Sequence, residues 1–250
     1  MLATTLPMLL ALGLLHGVAT AQRPVADERV ATLHYRSAWE FFTTEAWPEA
    51  AREFQAAIDA DPEFKLAYYG LGRANMAQKK FVEAVRAYEK CRDLHVAQAS
   101  RNFSNKSEAE RLISDDAMQY DMAISRLSSG PQTVQTQTQI TQLQNQKQRL
   151  QNRLRGTDSM SVASQVPPFV SLALGSAYFR TGRMPEAERE YKAAIDVDAK
   201  MGEAHSNLAA LYLQTGRIDE AEKSLKAAEK AGFKVNPMLK ADIAAAKKKA

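Results

Sequence analysis

Small and large apolar residues recur along this chain at a fixed interval. The stretch GSAYFRTGRMPEAEREYKAAIDVD, residues 175–198, sets Gly175, Tyr178, Gly182, Ala187, Tyr191 and Ala194 in a frame. Thirty-four positions on, the frame returns as Ala209, Tyr212, Gly216, Ala221, Leu225 and Ala228. Toward the N-terminus it occurs twice more, as Ala38, Phe41, Ala50, Phe54, Ala57 and Pro62, and then as Gly72, Asn75, Ala84, Tyr88 and Cys91. Within each copy the apolar residues fall three and four apart, the period of a helix with one buried face. The spacing predicts two helices per copy joined by a turn. In RTGRM and QTGRI a glycine stands where the first helix needs a left-handed end. Pro48 and Pro185 stand at the start of a second helix, where a missing N–H costs nothing. The small residues Gly72, Gly175, Ala38 and Ala209 let the helices of a pair approach closely. The rings of Phe54, Tyr88 and Tyr191 fill the space toward the neighbouring pair.

This frame resembles the tetratricopeptide-repeat family, down to the Leu-Gly pairs Leu71-Gly72 and Leu174-Gly175. The likeness covers residues 31–96 as units one and two and 168–235 as units three and four. The tryptophan that the family favours in the first helix is replaced by His34, Tyr68, Ser171 and His205, and only unit one ends in proline, Pro62. The resemblance implies an all-α fold, an α-solenoid of two plus two units. It also implies a concave groove lined by the first helices, with Tyr35, Trp39, Phe42, Tyr69, Arg73, Met76, Leu172, Ser176 and Phe179 facing a protein or peptide partner. Aromatic residues and arginine are the types that carry interface energy. Some family members hold a terminal carboxylate with lysine and asparagine; this face offers only Arg36, Arg73 and Asn207, so that use is not expected. Past unit four, Asn236-Pro237 starts a helix with Leu239 and Ile243 on one side and lysines on the other, expected to cap the stack over 236–250.

Residues 97–167 interrupt the frame. One reading is an inserted, coiled-coil-like hairpin. Ile113, Ala117, Tyr120, Ile124 and Leu127 fall on one side of 105–127. Gly130-Pro131 breaks the helix. Ile140, Leu143, Leu150 and Leu154 then repeat the pattern over 133–155, with Lys147 in the seam. Equal arms return the chain to its starting point, so unit three can stack on unit two. The other reading is two decayed repeats. Repeat stacks need about three units to fold, so the two pairs are expected to pack together or on the insert. Nine of the 20 residues in 132–151 are glutamine, and no Asp or Glu lies between Asp121 and Asp158. That surface is either a solvated face or a site for self-association or for an anionic partner such as lipid headgroups; self-association makes a self-associating cell-envelope protein the alternative to a partner-binding scaffold.

Charge and chemistry change this picture little. The chain has 250 residues, 45% hydrophobic and 25% charged, with net charge +4, too weak a bias to imply nucleic acid. Residues 1–21 carry no charged side chain and end in Ala19-Thr20-Ala21, the pattern of a signal peptide cleaved near Ala21. The expected location is periplasmic or secreted, with no stable membrane anchor. Cys91 is the only cysteine and matches slots held by Ala57, Ala194 and Ala228, so it reads as a small buried thiol. No catalytic, phosphate-binding or metal-binding spacing is present. The expectation is therefore no enzyme activity, no cofactor and no metal, with His34 and His205 at packing positions and His95 isolated.

Overall fold

The structure is a computed structural model. It describes residues 27–99, residues 166–249 and sixteen positions between 117 and 148. The described residues are helical and contain no strand. Unit one is α1 (Glu28–Thr43) and α2 (Trp47–Ala60); unit two is α3 (Lys65–Ala77) and α4 (Phe81–Ala99). Unit three is α5 (Pro168–Arg180) and α6 (Met184–Val197); unit four is α7 (Gly202–Gln214) and α8 (Ile218–Lys230). The last helix is α9 (Pro237–Lys249). Each helix packs on its partner within the unit, and each second helix packs on the first helix of the next unit. That order holds across the insertion, since α4 packs directly on α5. The architecture is an α-solenoid of helix pairs.

The turn inside each unit has one shape. Glu45, Lys79, Gly182 and Gly216 occupy equivalent positions, and all four have positive φ, at 61°, 59°, 77° and 74°. The next residue donates its N–H five positions back in every unit, as Ala46 to Phe41 at 3.0 Å and Arg183 to Tyr178 at 2.9 Å. This satisfies carbonyls that the helix end leaves open. Glycine supplies the left-handed residue in units three and four. Glutamate and lysine adopt it in units one and two against the steric preference of L-residues.

Small residues meet rings, but Tyr88 and Tyr191, expected to fill the space toward the neighbouring pair, close on the glycine of their own unit. A Cβ placed on Gly72 would lie 2.5 Å from the Tyr88 ring, and one on Gly175 would lie 2.8 Å from Tyr191. Gly70 does the same across units: its Cβ would lie 2.2 Å from Phe54. The packing forms two apolar clusters. One joins Tyr35, Phe42, Phe54, Phe64 and Leu66 around units one and two; the other joins Tyr88, Leu174, Tyr178, Tyr191, Leu208, Tyr212 and Ile243 from unit two to the cap. Cys91, Ala57, Ala194 and Ala228 are all fully buried.

A polar staple that the spacing does not announce reinforces the later interfaces. Tyr178 donates to Glu89 Oε1 of α4 at 2.6 Å, with Arg183 over its ring at 4.3 Å. One repeat later, Tyr212 donates to Glu188 at 2.9 Å, Arg217 pairs with Glu188 at 2.7 Å, and Arg217 lies 4.3 Å over the Tyr212 ring. Arg92 also bridges to Glu190 at 2.9 Å. The interface across the insertion and the contiguous interface after it thus share one construction.

Two placements differ from the spacing argument. His34 and His205 are half-buried edge residues rather than core packing, with His34 Nδ1 2.7 Å from Glu53 Oε2 and His205 Nε2 3.1 Å from the Ala199 carbonyl. His95 is fully buried, with neither ring nitrogen hydrogen-bonded. The signal segment 1–21 lies outside the described residues, as do most of 97–167. The sixteen described positions of the insert are helical, and Lys147 Nζ lies 2.5 Å from Asp121 Oδ1. Continuous arms over 105–127 and 133–155 lie outside the described residues.

Candidate functional site

The first helices α1, α3, α5 and α7 stand side by side and form one wall of the stack. Side chains at every junction mark this wall. Between α1 and α3, the Arg73 guanidinium lies 5.3 Å over the Trp39 ring and 4.8 Å over the Phe42 ring. Between α3 and α5, Tyr69 meets Phe169 edge-on at 5.0 Å. Between α5 and α7, Asn207 Nδ2 reaches Ser176 Oγ at 3.4 Å, and Ser176 also receives the Tyr191 hydroxyl at 3.4 Å.

Seven of the nine expected groove residues are half-buried: Trp39, Tyr69, Arg73, Met76, Leu172, Ser176 and Phe179. Tyr35 and Phe42 are not open to a partner. They are 3% and 7% exposed, because Tyr35 is enclosed by Phe54 at 5.8 Å and Phe64 at 4.9 Å, and Phe42 by Trp39 and Trp47 at 5.0 and 4.6 Å. They form the foundation on which Trp39 and Arg73 rest. Two residues extend the wall beyond the expected set. Phe169 precedes Leu172 by three positions, so helical spacing from Leu172 points to it. Glu203 starts α7 and has no counterpart among the aromatic residues that marked the groove.

Electrostatics focus on Arg73. The Trp39 and Phe42 rings, 5.0 Å apart, lie together on its α1 side, the residue is half-buried, and among the described residues no carboxylate lies within ion-pair distance of it. The Glu203 carboxyl keeps contact with water at the edge of the wall. Protein crowding around it raises its pKa, and the Arg73 charge offsets only part of that rise. Burial likewise pushes the Tyr69 hydroxyl up, so it stays neutral and able to donate. Among the described residues no group of three or more His, Cys, Asp or Glu could hold a metal ion.

A wall of paired helices with an aromatic-stacked cation at its centre defines a helical-repeat scaffold. Residues 35–94 and 172–233 match the profile of the tetratricopeptide-repeat family. These two regions are tetratricopeptide repeats. Solved structures similar to the chain include PilW, a type IV pilus biogenesis factor, at 14% identity over 89% of this chain and 88% of that one, with TM-score 0.41. A thermophilic repeat protein of Thermus thermophilus, TTC0263, matches at 19% identity over 86% and 98%, with TM-score 0.35. YrrB, described as having an unusual peptide-binding site, matches at 17% over 89% and 94%, with TM-score 0.30. No curated protein sequence matches the chain. No helix among the described residues is long and apolar enough to cross a membrane.

Proposed function

We propose that this protein is an exported, non-catalytic scaffold that holds a protein or peptide partner along the wall formed by its first helices. The observation that carries this reading is Arg73: a half-buried cation, stacked on Trp39 and Phe42, with no carboxylate in reach among the described residues. The two adjacent rings shed water from one side of the guanidinium and leave its other side for an incoming group. Tyr69, Phe169, Leu172, Met76 and Phe179 continue the surface as apolar area on either side. Large rings of this kind supply most of the energy at protein interfaces. Export rests on the charge-free leader ending at Ala21. Capture from a native envelope extract, read by mass spectrometry, tests the proposal. Wild type retains a partner that Arg73→Ala and Phe179→Ala both lose while keeping helical content. Equal capture by all three proteins refutes the wall as the binding surface.

A further inference from the structure

The two ends of the stack are unlike, and each leaves apolar surface uncovered. On α1, Leu33 is 65% exposed and Phe41 is 37% exposed. In later units the position of Leu33 is held by Ala67, Val170 and Ala204, each fully buried. That of Phe41 is held by Asn75, Tyr178 and Tyr212, which are 8%, 3% and 5% exposed. Where these later residues lie, the second helix of the preceding unit packs on the first helix that carries them, and the staples Tyr178–Glu89 and Tyr212–Glu188 cross that junction. The outer side of α1 is therefore an interior face of the repeat with no preceding unit on it among the described residues.

At the other end, α9 turns Leu239 and the buried Ile243 inward and presents Met238, Ala241, Ala245 and Lys248 outward, at helical spacing. Met238 is 72% exposed, the most open of the large apolar residues described. The ends also differ in charge. Residues 27–64 hold nine acidic and three basic side chains, a net charge of −6; residues 218–249 hold eight lysines against five acidic residues, a net of +3. Lys247 and Lys240 reach Glu222 and Glu229 of α8, while Lys223, Lys230, Lys234 and Lys248 appear in no ion pair among the described residues.

We propose that the open face of α1 is an interface for the α9 end of a second copy of this chain, so that molecules join head to tail. The missing neighbour of α1 is a helix by the logic of the stack, and α9 is a short helix whose outward alanines admit large side chains. This repeats the small-against-large contacts inside the stack, where Gly70 receives Phe54. Opposite net charge orients the approach and makes association salt-dependent. Because the two surfaces differ, the contact is heterologous and forms chains or rings rather than a symmetric pair. The insert and the first-helix wall take no part in it.

The test uses the full mature chain with one end blocked at a time. Leu33→Lys blocks the α1 face and Met238→Glu blocks the α9 face; both residues are exposed, so folding is checked by circular dichroism and thermal midpoint. In sedimentation velocity at low salt, wild type shifts to larger species with concentration. Each blocked protein alone stays monomeric, with association weakened by about tenfold or more. Mixed in equal amounts, the two give a discrete 1:1 dimer through their intact ends. Salt of about 0.5 M weakens wild-type association. A wild type that stays monomeric at all concentrations overturns the proposal. So does a Met238→Glu protein that still assembles like wild type, which indicates a symmetric α1 contact. Assembly of both blocked proteins at wild-type strength also overturns it and moves self-association to the insert.

Discussion

Replacing Gly72 by alanine tests the packing argument at its tightest point. Gly-to-Ala inside a helix ordinarily stabilises by about 1 kcal/mol. Here the new methyl would lie 2.5, 2.6 and 2.8 Å from three carbons of the Tyr88 ring, whereas ordinary contact begins at 3.4 Å. Tyr88 is 2% exposed and meets the tilted Tyr69 ring at 5.8 Å, so the ring has little room to retreat. Overpacking of this kind costs about 1–3 kcal/mol, and three overlapping atoms place Gly72→Ala at the upper end of that range. After the helical gain, a net loss of about 1–2 kcal/mol is expected, or about 3–6 °C in melting temperature. Unit four supplies the control, because it pairs Ala209 with Leu225 where unit two pairs Gly72 with Tyr88. Gly72→Ala combined with Tyr88→Leu is therefore expected to lose less than the two single changes summed, with a favourable coupling of about 1 kcal/mol. Urea denaturation of the four proteins of the cycle measures it. A stabilised Gly72→Ala, or additive single changes, refutes the reasoning.

Further outcomes follow from the turns, the staple and one buried histidine. Lys79→Gly is expected to stabilise by about 0.5–1 kcal/mol, since glycine adopts the left-handed turn without strain; urea midpoints check this. At Glu188, burial pushes the carboxyl up, but hydrogen bonds from Lys192, Tyr212 and Arg217 outweigh it and leave the pKa lowered. Its contribution is therefore present above the unfolded carboxylate value of about 4.5 and lost as pH falls through the lower folded value. Glu188→Gln is expected to cost about 1–2 kcal/mol at pH 7 and to reduce the loss of stability between pH 5 and 3, read from melting temperatures across that range. Burial, and then the charge of Lys65, hold His95 well below its ordinary pKa. The unfolded chain binds the proton first, so stability falls as pH drops below about 6.5. His95→Leu is expected to flatten melting temperature between pH 7 and 5, and an unchanged slope counts against the burial argument.

The repeat was legible because its signal is steric and periodic. Small residues and rings recurring every 34 residues leave few ways to bury both, but spacing does not say which unit a ring turns to, and Tyr88 closes on Gly72 of its own unit. The groove was legible only in part. Helical spacing puts Tyr35 and Trp39 on one side of α1, but spacing does not say how deep a side chain sits, and Phe64, from the link before α3, covers Tyr35. Glu203 was missed because the groove was marked by aromatic residues and arginine: it lies one 34-residue period after Phe169, where the position repeats but the residue type does not. The staples at Glu89 and Glu188 escaped for a related reason. Glu89 and Tyr178 are far apart in sequence on either side of the insert, and their donors and acceptors align only once α5 packs on α4. His95 looked isolated because spacing alone does not say how deep a side chain sits, and it is fully buried.

The wall exists as one surface only if unit three stacks on unit two as unit four stacks on unit three. A double-mutant cycle on Glu89→Ala and Tyr178→Phe tests that contact most directly, because the pair, 2.6 Å apart, spans the insertion. Burial, then the hydrogen bond and charge of Glu89, push Tyr178 up to about 12, so the hydroxyl donates throughout the neutral range. A coupling of about 0.5–3 kcal/mol in urea denaturation at pH 7 is the result expected of groups in contact. Strict additivity of the two changes would contradict a continuous stack.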